Sequence, residues 1–297
     1  MPRLLVPVCT AVFAAALCAR PVLADPITNY AIYGATGVQI GVGSHVTGLV
    51  GTGTGAVSVG DASLNGTSGI TGDLRAGDGV SLANNVTITG TVTNPGSYTT
   101  GSGTTVGAHV VAMPPLPTLP AATVYVAGVT NQNAANGATM NLAPGSWNDI
   151  TLGGSCVLNL TAGTYFLHSL TAGNGLDLNV NVSGGPVTVY VVDDVSIGST
   201  CDVVITGGGV GLFNVETHST SLNAFRAGGG VNWRGNIFTP NGGIHLGAGS
   251  GTGGWIGYLW AGTVVDIEHG LDGSVPAPGA AMLTAIAGVL AARRRRR

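Results

Sequence analysis

The densest group of chemically capable side chains is Asp266-Ile267-Glu268-His269, which puts two carboxylates and an imidazole side by side. Those groups are the material of a metal site or of acid–base catalysis. On a strand, Asp266 and Glu268 share one face and His269 points to the other, so the three converge only at a bulge. A solvated acidic edge is the better reading. Glu216 and His218 would also share a face and could hold a metal or polarise a water, but no third ligand is identifiable. Asp193-Asp194, ahead of Val195-Ser196-Ile197, most simply makes a turn, because aspartate side chains bond nearby backbone amides. The sequence therefore assigns no catalytic residue, no metal ligand and no cofactor.

Other chemistries fare no better. A polysaccharide lyase or hydrolase needs clustered carboxylates or calcium ligands beside a basic residue. Between the two chain ends the only basic residues beside histidine are Arg75, Arg226 and Arg234, and the chain has no lysine. Arg234 beside Trp233 could stack on a sugar, although a strand arginine covering an aromatic is the commoner situation. The calcium-binding nonapeptide code fails at Gly208-Gly209-Val210-Gly211, where Leu212 and Phe213 follow instead of aspartate. Gly-x-Gly strings such as Gly51-Thr52-Gly53-Thr54-Gly55 precede no helix, so nucleotide binding has no footing.

The elements that must carry these residues are short strands. Glycine supplies 51 of 297 residues without a collagen period, and a 44% apolar share argues for a packed core. Runs such as Val38-Gln39-Ile40, Val57-Ser58-Val59 and Val80-Ser81-Leu82 alternate in the manner of half-buried strands, and no stretch of the body has a helical period. An internal repeat runs through Val46-Thr47-Gly48-Leu49-Val50, Ile70-Thr71-Gly72-Asp73-Leu74 and Ile88-Thr89-Gly90-Thr91-Val92, with starts 24 and then 18 residues apart and a degraded copy at Val106. Periods near 20 built from strands and glycine turns mark a β-solenoid. The fold class expected is all-β, a β-solenoid body with a signal helix before it and a short apolar helix after it.

One seam is visible, at Pro114-Pro115-Leu116-Pro117-Thr118-Leu119-Pro120, which should be extended. The organisation expected is a signal peptide at 1–24, a Gly/Thr-rich β-repeat region at 25–112, a Pro-rich linker at 113–121, a second β-solenoid region at 122–273 and a terminal segment at 274–297. The two β regions are expected to be similar pieces. Trp233, Trp255 and Trp260 near the end of the body could form a sugar-contact platform or cap the last coil, and capping is favoured because solenoid ends must hide apolar surface. Cys156 and Cys201 each follow a Gly-x-x-Cys turn, as equivalent corners of a repeat would. They are either a disulfide or two buried free thiols.

Both chain ends read as export signals. Met1–Ala24 has Arg3, an apolar stretch from Leu4 to Leu17 and a small-residue cleavage site at Val22-Leu23-Ala24, the layout of a secretory signal peptide that signal peptidase would remove. At the other end, Ala280 to Ala292 carries no charge and Arg293, Arg294, Arg295, Arg296 and Arg297 follow. As a helix those apolar residues reach about 20 Å, short of a bilayer core, and suit a temporary stop with the arginines in the cytoplasm. With the ends removed, three arginines face thirteen acids, a formal charge of −10, which disfavours nucleic acid and anionic lipid as partners.

The terminal segment resembles the PEP-CTERM sorting signal of exported bacterial proteins: Val275, Pro276 and Pro278 match its motif, with Ala277 where the usual signal has glutamate, and the apolar run and arginine cluster follow in order. The resemblance implies an exosortase-like enzyme as partner, transient association with the inner membrane, and a final place on the cell surface or in the extracellular matrix. Within the body, Val231 to Asn241 followed by Ile244-His245-Leu246-Gly247 looks like the closing coils of bacterial surface β-helix domains. The function expected is that of an exported, non-catalytic structural protein. The alternative is a polysaccharide- or ice-binding module, and an extracellular glycan-active enzyme stands third.

Overall fold

The computed structural model describes residues 26–62, 68–249 and 253–275. Those residues form an all-β solenoid; its helical content is two single 3-10 turns, Ile27–Asn29 and Val210–Leu212. The signal segment, Pro276, Pro278 and the arginine run lie outside the described residues, as do both expected terminal helices. No helix among the described residues is long and apolar enough to cross a membrane.

Each coil contributes one strand to each of three faces, and neighbouring coils pair in parallel. The first face is an eleven-stranded sheet whose order runs from Tyr98–Thr100 at one end, the head, to Gln132–Ala134 at the other, the tail. Eleven coils at about 4.8 Å make a prism about 50 Å long. Inward positions are mostly apolar, with Thr52, Asn94, Thr217 and Thr239 as buried polar exceptions on the third face. On the second face the inward row reads Met140, Leu158, Leu178, Val203, Trp233, Trp255, Gly273, Val46, Ile70, Ile88 and Val106.

The coil order differs from the chain order, and this alters the expected division into two pieces. The first described strand, Tyr30–Gly34, lies in mid-stack, and from it the chain coils outward to Thr105–Val111 at the head. It then crosses the length of the prism through the Pro-rich segment and restarts at the tail with Gln132–Ala134. From there it coils back until Val264–Ile267 pairs with Gly37–Ile40 and Asp272–Ser274 pairs with His45–Thr47. The two segments are therefore halves of one stack with one core. The Pro-rich seam is a strap along the flank.

The repeats found in the sequence stack as their spacing required. Thr47 lies beside Thr71, and Ile70 beside Ile88, with Gly48 and Gly72 turning the chain from the second face to the third at φ of 133° and 148°. The longer repeat leaves the ladder undisturbed, because Val57–Val59 and Gly69–Thr71 both stay in register with their neighbours.

The corner between the first and second faces explains the Gly-x-x-Cys turns. Ser155, Gly175 and Thr200 sit in the left-handed region with φ of 56°, 76° and 61°, and each donates its amide N–H to a carbonyl of the next coil at 2.7 Å. The residue that follows turns inward: Cys156, Leu176, Cys201. The two cysteines thus occupy equivalent corners, but Leu176 stands between them. Two coil spacings, about 9.6 Å, exceed the roughly 7 Å limit for a disulfide. Both thiols are free and buried. Burial, with the charges of Asp202 and Asp177, pushes the Cys201 thiol up to about 12.

Candidate functional site

The first face presents a continuous row of outward side chains, one from each strand in register, and most of these are short. From the tail the outward row begins Asn133, Thr151, Thr171, Ser196. It continues through Arg226, His245 and Asp266. It ends with Gln39, Ser58, Ser81 and Thr99 at the head. Two hydroxyl-bearing blocks thus flank a charged centre.

That centre contains the carboxylates singled out in the sequence. Asp266 and Glu268 share a face as expected, but they are not simply solvated. His245, from the adjoining coil, places Nδ1 3.1 Å from Asp266 Oδ2 and Nε2 3.4 Å from Glu268 Oε1. Glu268 Oε2 also accepts the Ala248 N–H at 2.9 Å. The hydrogen bond to Asp266 is the main cause that holds the imidazole above its ordinary value, against the opposing effect of burial. Sequence reading missed His245 because the three groups meet only through the coil register; the signal was the strand alternation Ile244-His245-Leu246, one coil before Val265-Asp266-Ile267. These side chains satisfy one another, and no metal-binding group of three His, Cys, Asp or Glu occurs among the described residues.

The second face carries ladders of its own. Asn159 donates to Asn141 Oδ1 at 2.7 Å and Asn179 to Asn159 Oδ1 at 2.9 Å. Toward the head, Thr47 and Thr71 stand in register and the Gly72 N–H donates to Thr89 Oγ1 at 3.0 Å. Between these blocks, Gly254 leaves an open notch flanked by Asn232, Arg234, His45 and Asp272.

The third face is aromatic and covered. Phe166, Tyr190, Glu216, Phe238, Trp260 and Tyr33 follow one another in its outward row. The strap crosses this row. Tyr30 and Tyr33 donate their hydroxyls to the carbonyls of Pro115 and Pro117 at 3.3 and 3.5 Å. Farther along, Tyr125 packs against Tyr190, Phe166 and His218 at ring separations of 5.2, 5.7 and 4.7 Å. Gly128 closes the path with an N–H bond to the Trp147 carbonyl at 2.9 Å.

Glu216 and His218 do meet, with His218 Nε2 2.7 Å from Glu216 Oε1, but their work is structural. The same carboxylate accepts the Thr123 N–H at 2.7 Å and the Thr123 hydroxyl at 3.1 Å, and so fastens the strap in mid-course. Glu216→Ala is expected to remove about 2 kcal/mol of local stability, as for bonds to a charged acceptor. Thermolysin should then cut the variant near Val124 and Val126, whose side chains already face solvent. Cleavage no faster than in the parent would show that the strap is held by its other contacts.

Two of the three proposed glycan-contact tryptophans lie in the core. Trp233 and Trp255 are 1% and 2% exposed and stand in register on adjacent coils. Arg234 points outward from the same strand, so it cannot stack on the buried Trp233 ring. Trp260 is half-buried and donates Nε1–H to the Tyr30 carbonyl at 2.9 Å. None of the three caps the prism, because the last coils in sequence lie in mid-stack. An interior void lined by side chains such as Leu142, Leu160, Val189 and Val215 is about 20 Å³, room for one water at most.

No family model and no curated protein matches this chain. Among solved structures it is similar to the crystal structure of an ice binding protein from an Antarctic bacterium, Flavobacteriaceae, at 12% identity and a TM-score of 0.29, over 84% of this chain and 97% of that one. The functional reading below is drawn from the geometry of the faces.

Proposed function

We propose that the chain is an exported, non-catalytic surface protein, sorted through its C-terminal segment by an exosortase-like enzyme, whose body serves as a platform that binds an extended neutral polysaccharide along its first face. The observation that carries this reading is where Val275, the residue before the sorting segment's Pro276, sits on the prism. Val275 follows the second-face strand Asp272–Ser274 and lies with Ala31 around Gly48, at the corner between the second and third faces. In a three-sided prism that corner is opposite the first face. Val275 is also near mid-length, so a body tethered there lies along the surface and turns its first face outward. A stalk would need the tether at one end.

Hydroxyl and amide side chains repeating along about 50 Å supply many weak hydrogen bonds to a sugar polymer, and linked weak contacts sum to useful avidity. Ice is the weaker alternative, because Arg226, Asp266 and Glu268 are strongly hydrated groups in the centre of the face. The body's negative charge disfavours acidic polymers.

The test uses the protein recovered from its native host, with intact mass confirming loss of Met1–Ala24 and of the segment after about Pro278. Retention on insoluble neutral polysaccharides is compared with partition into ice. The double variant Thr171→Tyr, Ser81→Tyr on the first face should weaken retention by about tenfold, the equivalent of 1.4 kcal/mol. Thr71→Tyr on the second face should leave it unchanged. Equal loss from both faces, or partition into ice without glycan retention, would refute the reading.

A further inference from the structure

Both ends of the prism are open. At the head, the strands Tyr98–Thr100 and Thr105–Val111 have neighbours on one side only, and at the tail so do Gln132–Ala134, Thr139–Leu142 and Gly145–Ser146. Inward side chains there lack the cover that the middle of the stack enjoys. Val106 is only partly buried, whereas Ile88, Ile70 and Val46 below it are fully buried; Met140 is partly buried beside the buried Leu158. At the head the rings of Tyr98 and His109 stack at 3.8 Å, no further strand among the described residues pairs with either end, and the strap's contacts are on the flank.

Natural sheets guard such edges with charge, above all lysine. Here the pattern is inverted. The body is strongly acidic, yet from Gly79 to Asn148 there is no Asp, Glu, Lys or Arg, and that span includes the two outermost head coils and the outermost tail coil. Charge is absent from the two surfaces where it would repel a second copy and would have to be desolvated.

We infer that copies of this chain stack head to tail, the tail coil of one docking as the next rung on the head coil of another, to form an open β-solenoid fibre. All ladders in the prism are parallel, so the tail strands meet the head strands in the same direction and continue all three faces. Met140 then covers Val106, Asn133 follows Thr99 in the first-face row, and Ser146 follows Val110 on the third face. Joining two heads would set the strands antiparallel and break the ladders. A contact between two different surfaces does not close on itself and propagates as a filament. With each copy held at mid-length, such a filament runs along the surface.

Charge exchange tests the polarity of the contact. Thr99 and Asn133 are exposed outward residues, so substitutions there leave the core untouched. Thr99→Glu alone and Asn133→Lys alone are each expected to raise the concentration at which the mature protein assembles by about tenfold, a cost near 1.4 kcal/mol per contact. Together, in one chain, they should restore assembly, because each Glu then meets a neighbour's Lys. The double variant Thr99→Lys, Asn133→Lys should stay dispersed. Sedimentation velocity and negative-stain microscopy read the assembly, and unchanged melting temperatures establish that the variants fold. A parent protein that sediments as a monomer at every concentration would overturn the inference, as would a folded Glu/Lys double variant that stays dispersed. Glycan retention is read separately on dispersed protein, so either result stands without the other.

Discussion

Trp233→Ala should destabilise the protein by about 3–5 kcal/mol, the range for truncating a fully buried large aromatic. The ring is enclosed on every side that the coil geometry allows. It meets Phe225 edge to face at 4.9 Å and Phe213 at 5.7 Å, and Trp255 is its register partner on the next coil. Its indole N–H donates to the Gly235 carbonyl at 3.1 Å, so truncation also leaves a buried acceptor without its partner. Relaxation offers little recovery, because the neighbouring coils are pinned by backbone ladders on all three faces and cannot close on the cavity. Trp233→Phe keeps most of the volume and should cost distinctly less. Denaturant titration of both variants is the check, and a loss below about 1 kcal/mol for Trp233→Ala would mean that the ring is not enclosed as described.

That burial also shows where sequence reasoning stopped. The solenoid, its Thr-Gly corners and the equivalence of the two cysteine turns were legible, because each follows from a local pattern: inward Val, Ile or Leu, one outward polar residue, and a residue able to turn the corner. Coil order was not legible. Nothing in Val264-Val265-Asp266-Ile267 says that its partner is Gly37-Val38-Gln39-Ile40, since most first-face strands offer the same apolar-polar-apolar edge. Position along the chain was therefore taken for position along the stack, which sent the late tryptophans to an end they do not occupy. The same gap hid the His245 cluster on the first face and the aromatic row under the strap. Glu216 was visible as a polar residue beside a histidine, but its partner Thr123 is 93 positions away.

The joint that sequence could not reveal is also the place where the fold is most sensitive to added volume. Gly273 occupies an inward position on the last second-face strand, where the other coils carry an apolar side chain, and it pairs with Trp255 on one side and Val46 on the other. The space its side chain would fill is taken by the Trp255 ring: a Cβ on Gly273 would fall 1.9–2.2 Å from three indole carbons. The backbone there is ordinary, so the constraint is volume rather than conformation. Gly273→Val forces the ring aside within a close-packed interior. The expected cost is about 3 kcal/mol or somewhat more, at the upper end for overpacking. Because this strand joins the outward-coiling first segment to the returning second one, the damage should appear as partial opening between them, seen as faster amide exchange in both His45–Thr47 and Gly254–Ile256. Adding Trp255→Leu to Gly273→Val returns the lost space and should recover a good part of the stability, whereas Trp255→Leu alone should be destabilising. A double-mutant cycle in which the two changes simply add would show that Gly273 is small for some reason other than the ring beside it.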